Sequence, residues 1–248
     1  MLAGLLGIGG GLVIVPALLL LFARQGFAAD SLMHYAVGSS LAVIIPTSIA
    51  SLLAHHRRGG VHWPVVRLMV PGILPGVLAS AWLARQLSSN GLALVFGVFV
   101  FAVAIKLLLG TKPVAQRPLP GWPGLGVAGG IIGLVSGLLG IGGGSLTVPY
   151  LMWHQLDIRH AVGTSATLGL PIALAGTLGF IISGLDTPQQ PGLNTGFVYW
   201  PAVAAIVVAS VPMAPLGVRL AHHLPRVTLQ RVFALLLVVI SVRMAGLC

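Results

Sequence analysis

Gly137-Leu138-Leu139-Gly140-Ile141-Gly142-Gly143-Gly144 decides how this chain folds, because the same stretch stands earlier at Gly4-Leu5-Leu6-Gly7-Ile8-Gly9-Gly10-Gly11. Both copies lie in strongly apolar sequence, and a proline follows each at the same distance, Pro149 and Pro16. Each Gly inside a helix weakens it by roughly 1 kcal/mol relative to Ala, so three in succession break the helix and leave backbone N–H groups without intrahelical partners. In hydrocarbon such groups must be buried in protein or line a wet cavity. The residues after each break, from Leu12 and from Ser145, start a new half-helix. Its N-terminus offers free N–H groups and the positive end of a dipole to a small anion. The pair of stretches therefore reads as one substrate site.

Composition places those stretches in a membrane. The chain is 57% hydrophobic and only 6% charged, with several apolar runs of spanning length. A formal charge of +10, from 13 Lys and Arg against three acidic residues, would suggest a polyanionic partner in a soluble chain. Here the basic residues mostly cluster in short loops, where they set orientation against an anionic membrane face, so no nucleic acid is expected. The single cysteine, Cys248, excludes an intramolecular disulfide and a multi-cysteine metal site. No cleavable signal peptide is visible, since Met1 leads straight into apolar sequence.

Apolar segments run at about Met1–Phe22, Tyr35–Ala54, Trp63–Leu83, Gly91–Leu109, Leu125–Trp153, Ala161–Ser183, Val198–Leu220 and Val227–Ala245. They form four plus four. Ala36-Val37-Gly38-Ser39-Ser40 answers Ala161-Val162-Gly163-Thr164-Ser165, with Pro46 and Pro171 following, and His62-Trp63-Pro64 answers Tyr199-Trp200-Pro201. Pro75 aligns on Pro212, and Leu83-Ala84-Arg85-Gln86-Leu87 on Leu220-Ala221-His222-His223-Leu224. If all eight segments cross, the Lys and Arg residues divide seven to six and the positive-inside rule fails. If each glycine-broken segment enters and returns, one side collects Arg57, Arg58, Arg67, Lys106, Lys112, Arg117, Arg159, Arg219, Arg226 and Arg231, against Arg24, Arg85 and Arg243. Ten against three is a clear inside assignment. The expected fold is thus all-α: a polytopic membrane protein of two inverted repeats, each with one glycine-broken re-entrant segment plus three transmembrane helices. Residues 1–110 form the first repeat, 111–123 a Pro-rich cytoplasmic linker and 124–248 the second repeat. Only three residues precede Gly4, whereas Leu125–Ser136 precede Gly137, so either translation begins upstream or the first repeat is abbreviated.

The expected binding set is Gly9, Gly10, Gly11, Ser39, Ser40, Gly142, Gly143, Gly144, Ser145, Thr164 and Ser165. Ser39 with Ser40 and Thr164 with Ser165 are read as heading two equivalent helices and donating neutral hydrogen bonds to a desolvated anion, with Ser145 and Thr147 adding to them. Leu12 stands opposite Ser145, so the site is asymmetric. His55-His56, His62 and His222-His223 invite a metal hypothesis. They lie in or next to loops on the predicted cytoplasmic side beside Arg57 and Arg58, where imidazoles most often face water and headgroups, so neither a metal nor a cofactor is expected; a proton-sensing role for one of them stays open. Asp30, Asp157 and Asp186 are the only acidic residues and all fall in loops. That leaves no buried carboxylate to carry a proton or sodium ion, and no paired-carboxylate, Ser-His-Asp or zinc-protease constellation, so the chain is not read as an enzyme. Lys106 is read as snorkelling to the interface, and Trp63, Trp153 and Trp200 as belt residues.

The glycine motif, the Ala-Val-Gly-Thr-Ser motif and their duplication resemble the TauE/SafE family of sulfite exporters, also called TSUP. The match runs through Gly4–Pro16 and Ala36–Ser40, and through Gly137–Pro149 and Ala161–Ser165. The resemblance implies a bacterial inner-membrane permease for small sulfur-containing anions such as sulfite, sulfonates or sulfoacetate, with the lipid bilayer as its other partner. The residues by themselves leave two other readings open, a channel-like anion facilitator and a non-transport membrane assembly protein.

Overall fold

The computed structural model describes residues 10–109, 117–187, 192–210, 234, 235 and 237–241. The first glycine stretch before Gly10, including Gly9, lies outside them, as do Lys112, Pro212, Arg219, His222, His223, Arg226, Arg231, Arg243 and Cys248. Helices α1 (Gly11–Arg24), α2 (Leu32–Arg57), α3 (Trp63–Gln86), α4 (Ser89–Leu109), α5 (Trp122–Leu139), α6 (Gly144–Trp153) and α7 (Ile158–Ser183) follow one another. A two-residue antiparallel ladder, β1 (Asn194–Thr195) on β2 (Val198–Tyr199), then leads into α8 (Trp200–Ser210). Among the described residues, five stretches are long and apolar enough to cross a membrane: Ala29–Arg57, α3, α4, α5 and α7. The chain is a polytopic α-helical membrane protein. The small ladder is a departure from helix that the sequence did not announce.

Polar flanks lengthen the helices beyond their apolar runs. Asp157 accepts hydrogen bonds from the N–H groups of Arg159 and His160 and so starts α7 three residues before Ala161. The His62 ring nitrogen accepts from Val65 N–H and caps α3, where Pro64 suits the first turn. Trp63, Trp153 and Trp200 stand at helix ends and are partly exposed.

Glycine governs the tightest packing. α3 and α5 run in parallel and touch backbone to backbone: a Cβ on Gly72 would stand 1.9 Å from the Gly126 carbonyl oxygen, and one on Gly76 would stand 2.2 Å from that of Gly130. Gly129 and Gly133 approach the Met69 and Ile73 carbonyls in the same way, and Gly137 abuts the Ser80 hydroxyl. This close approach replaces side-chain burial as the cohesive force where lipid is the solvent. α7 also runs parallel to α3, with Gly176 on Val77 and Gly179 on Ala81. Between α5 and α7 the chain must therefore double back, and α6 carries it. α2 runs antiparallel to α7, Gly38 meeting Phe180, Leu41 meeting Gly176 and Ser48 meeting Gly169.

Equivalent positions of the two halves are tied crosswise. Ser39 Oγ accepts from Tyr199 N–H at 3.0 Å, and Thr164 Oγ1 accepts from His62 N–H at 2.9 Å. Gly38 lies against the Phe197 carbonyl and Gly163 against that of Gly60. Each glycine sits one residue before the hydroxyl, and each carbonyl two residues before the bonded N–H. The chain entering α3 is thus fastened to α7, and the chain entering α8 is fastened to α2.

Candidate functional site

The break between α5 and α6 lies in the interior, where Gly11, the last residue of the first glycine stretch, meets Gly140 and Ile141 of the second. α5 ends in a Schellman turn: Gly140 has φ 65°, its N–H bonds the Gly137 carbonyl, and Ile141 N–H reaches back to Ser136. The turn is pinned from α2, whose Ser40 hydroxyl donates to the Gly140 carbonyl at 2.8 Å. From α1, Gly11 approaches so closely that a Cβ there would stand 2.4 Å from the Gly140 oxygen. Gly143, at φ 75°, then caps α6, and its carbonyl receives Leu146 and Thr147 N–H. Both left-handed residues are conformations that only glycine adopts at little cost.

This leaves a cluster of polar groups with nothing to bond. The N–H groups of Gly142, Gly143, Gly144 and Ser145 make no hydrogen bond to a described residue. The Oγ atoms of Ser136, Ser145 and Thr147 are buried and likewise without a partner among the described residues, Ser136 and Thr147 being 0% exposed. Two of the hydroxyls converge on Gly143: a Cβ there would lie 3.4 Å from Thr147 Oγ1, 3.6 Å from Ser136 Oγ and 2.7 Å from Ile172 Cδ1. A buried polar group left unpaired costs about 1–3 kcal/mol, so the three hydroxyls, with the four N–H groups at the same break, single it out as the candidate site.

Of the expected binding residues, Gly142, Gly143, Gly144 and Ser145 are here; Gly11 touches the turn from the N-terminal end of α1, and Gly10 caps that helix, its carbonyl accepting from Val13 and Ile14 N–H. Ser39, Ser40 and Thr164 do not head their helices: α2 begins at Leu32 and α7 at Ile158, because their polar flanks continue the helix outward. Their hydroxyls are spent on backbone groups, Ser40 on the glycine turn and the other two on the crosswise ties. Ser165 is buried beside Thr164. Thr147 was read as an addition and Ser136 was missed. Its signal was available, since Ser136 directly precedes the Gly137 stretch and one turn of helix returns its side chain toward Gly143.

Residues 1–244 match the family described as Sulfite exporter TauE/SafE. The chain belongs to that family. A probable membrane transporter protein of Haemophilus influenzae is 37% identical over 244 residues, covering 98% of this chain and 92% of that one. The probable membrane transporter protein YunE of Bacillus subtilis is 31% identical over 204 residues, 73% of each chain. A third, MJ0441 of Methanocaldococcus jannaschii, is 26% identical over 223 residues. No solved structure matches.

In this TauE/SafE member the two ends of the bundle differ in charge. Arg57, Arg58, Arg67, Lys106, Arg117 and Arg159 lie toward the end where α2 finishes and α3 begins, with Arg117 over the Trp153 ring at 5.8 Å. There the Arg159 guanidinium donates to the Arg58 carbonyl, and the His160 ring bonds the Asp157 carboxylate and faces His62 at 6.4 Å. The hydrogen bond from His160 is the main reason the Asp157 carboxyl sits below its ordinary pKa, the two N–H caps adding to it. The opposite end holds Arg24 and Arg85, the latter 3.3 Å from Asp186 in an exposed pair worth about 0–1 kcal/mol. It is closed by an aromatic cluster in which Phe27 packs on Phe22, Tyr35 and Tyr199.

Proposed function

We propose that this protein transports small sulfur-containing anions such as sulfite or organosulfonates across the bacterial inner membrane. The observation that carries this reading is the set of unpartnered N–H and O–H donors around Gly143, at the N-terminus of α6, deep among five helices. Binding falls to Gly142, Gly143, Gly144, Ser145, Ser136 and Thr147, while Ser40 and Gly11 hold the turn in shape. Neutral donors bind an anion moderately, which suits a solute that must also leave.

The same reading makes residues 122–153 a re-entrant segment that enters and returns from the cytoplasmic side. Its support is that α5 and α7 both run parallel to α3. Residues 1–110 and 124–248 are then inverted repeats joined by a cytoplasmic linker at 111–123, supported by the crosswise ties and by α1 and α6 leaving the glycine contact toward opposite ends. Six described basic residues at one end against two at the other favour that end as inside. Alternating access follows from one repeat rocking on the other. A channel-like facilitator is the second reading, favoured because Asp30, Asp157 and Asp186 all stand at helix ends, away from the glycine break.

Flux in proteoliposomes of the purified chain tests the proposal. Sulfite and methanesulfonate should pass and chloride should not, with a saturating dependence on concentration for a carrier. Folded protein that passes none of these anions refutes it, and flux that fails to saturate moves the assignment to the facilitator.

A further inference from the structure

The free donors around Gly143 carry no net charge. Among the described residues, every group free to bind the solute is a neutral dipole: the N–H groups of Gly142 to Ser145 and the hydroxyls of Ser136, Ser145 and Thr147. The side chains that meet Gly140, Gly142 and Gly143 are otherwise Val15, Ile44 and Ile172, all apolar. Among the elements around the loop, Arg24, Arg57 and Arg159 each lie thirteen residues along the helix from Gly11, Ile44 and Ile172, about 20 Å away. His34 lies ten residues from Ile44, and its Nε2 is engaged with the Ala84 carbonyl. Tyr150 is seven residues, about 10 Å, beyond Gly143. On α3, Arg85 pairs with Asp186 and Arg67 lies thirteen residues, about 20 Å, from Ser80 beside Gly137; His55 and His56 lie eleven and twelve residues from Ile44, His160 twelve from Ile172 and Tyr35 nine from Ile44, and α5 carries no ionisable residue.

Charge magnitude decides what such a site can hold. The cost of taking an ion out of water grows as the square of its charge, so a dianion costs about four times what a monoanion does, whereas its attraction to fixed dipoles only doubles. Without a cation beside it, the second charge is not compensated. Hydroxyls add a second discrimination. An N–H only donates, but Ser136, Ser145 and Thr147 can each also accept, so the cluster can satisfy an oxyanion that still bears a proton.

Resting on the anion-transport reading above, we infer that the site takes oxyanions only as singly charged species, so that a sulfite-class solute crosses as hydrogen sulfite. The proton then rides on the solute. A chain with no carboxylate in its described spanning helices thereby carries an acid equivalent: hydrogen sulfite enters, and in a more alkaline lumen dissociates into sulfite and a proton.

The test uses proteoliposomes of the full chain, corrected for protein-free liposomes, with three probes between pH 6 and pH 8. Methanesulfonate is a monoanion throughout, sulfate a dianion throughout, and sulfite changes from one to the other across this range. Methanesulfonate flux should stay flat, sulfate should remain at background, and sulfite flux should fall several-fold as pH rises. With the lumen held at pH 8, a lumenal pH dye should record close to one proton delivered per sulfite and none per methanesulfonate. Sulfate carried as fast as methanesulfonate, or sulfite flux that rises with pH, overturns the inference while leaving anion transport standing. Absence of flux for all three anions, from folded protein, removes the transport reading and the inference with it.

Discussion

Replacing Gly143 with Ala tests whether the glycine is there for the solute or only for packing. Its φ of 75° costs an L-residue about 1–2 kcal/mol. The added methyl would also sit 2.7 Å from Ile172 Cδ1, an overpacking that costs about 1–3 kcal/mol. Gly143→Ala should therefore lose about 2–5 kcal/mol, leaving the protein inserted but with a lower unfolding midpoint. The second variant separates the causes. Ile172→Val removes the Cδ1 atom itself, so Gly143→Ala/Ile172→Val should recover the packing share and keep only the backbone strain. Flux should not recover, because the methyl still stands 3.4 Å and 3.6 Å from the Thr147 and Ser136 oxygens, in the place a solute oxygen needs. Tryptophan-monitored unfolding in detergent reads the first quantity and sulfite uptake into proteoliposomes the second. A double variant that regains wild-type flux along with its stability would refute the site, since the glycine would then act through packing alone.

Three further outcomes follow from the packing. Gly72→Ala should deplete folded protein, because its Cβ meets a backbone carbonyl at 1.9 Å, whereas Gly126→Ala on the facing helix meets nothing within 4 Å and should be neutral or stabilising by up to about 1 kcal/mol, as yield and unfolding midpoint will report. Ser39→Ala and Thr164→Val should destabilise by similar amounts, about 1–3 kcal/mol each, since each strands an N–H at an equivalent helix entry; an effect on only one would contradict the crosswise tie. Asp157→Ala should weaken the start of α7 at neutral pH. Because the folded-state pKa of Asp157 is depressed, its stabilisation is present above the ordinary carboxylate range and lost as pH falls through the lowered value, so the gap between variant and wild type should close on strong acidification.

The glycine break was legible because three consecutive glycines contradict the helix around them, and a local contradiction needs no tertiary information. The spans were legible for the same reason: apolar length is a property of the chain itself. What the hydroxyls do was not. Ser39, Ser40 and Thr164 have the same composition and symmetry as binding residues, and only the position of Tyr199, His62 and Gly140 in space reveals that backbone groups from elsewhere in the chain already occupy them. Ser136 was hidden in the opposite sense. A serine one turn before a helix end looks incidental until the Schellman turn folds the chain back over it. The β1–β2 ladder, two residues per strand, is too short to leave an alternating pattern.

The tie between Ser39 and Tyr199 joins residues 160 positions apart. At about 5–20 residues per second, the ribosome takes roughly 8–30 s to make the second after the first. For that interval Ser39 has no partner, and for most of it neither has Ser40, whose carbonyl acceptor is 100 residues downstream. The nascent first half therefore has to wait in an unfinished state, sheltered by lipid or by the insertion machinery. Final assembly is a late, nearly simultaneous closure of both halves rather than the addition of one finished half to another.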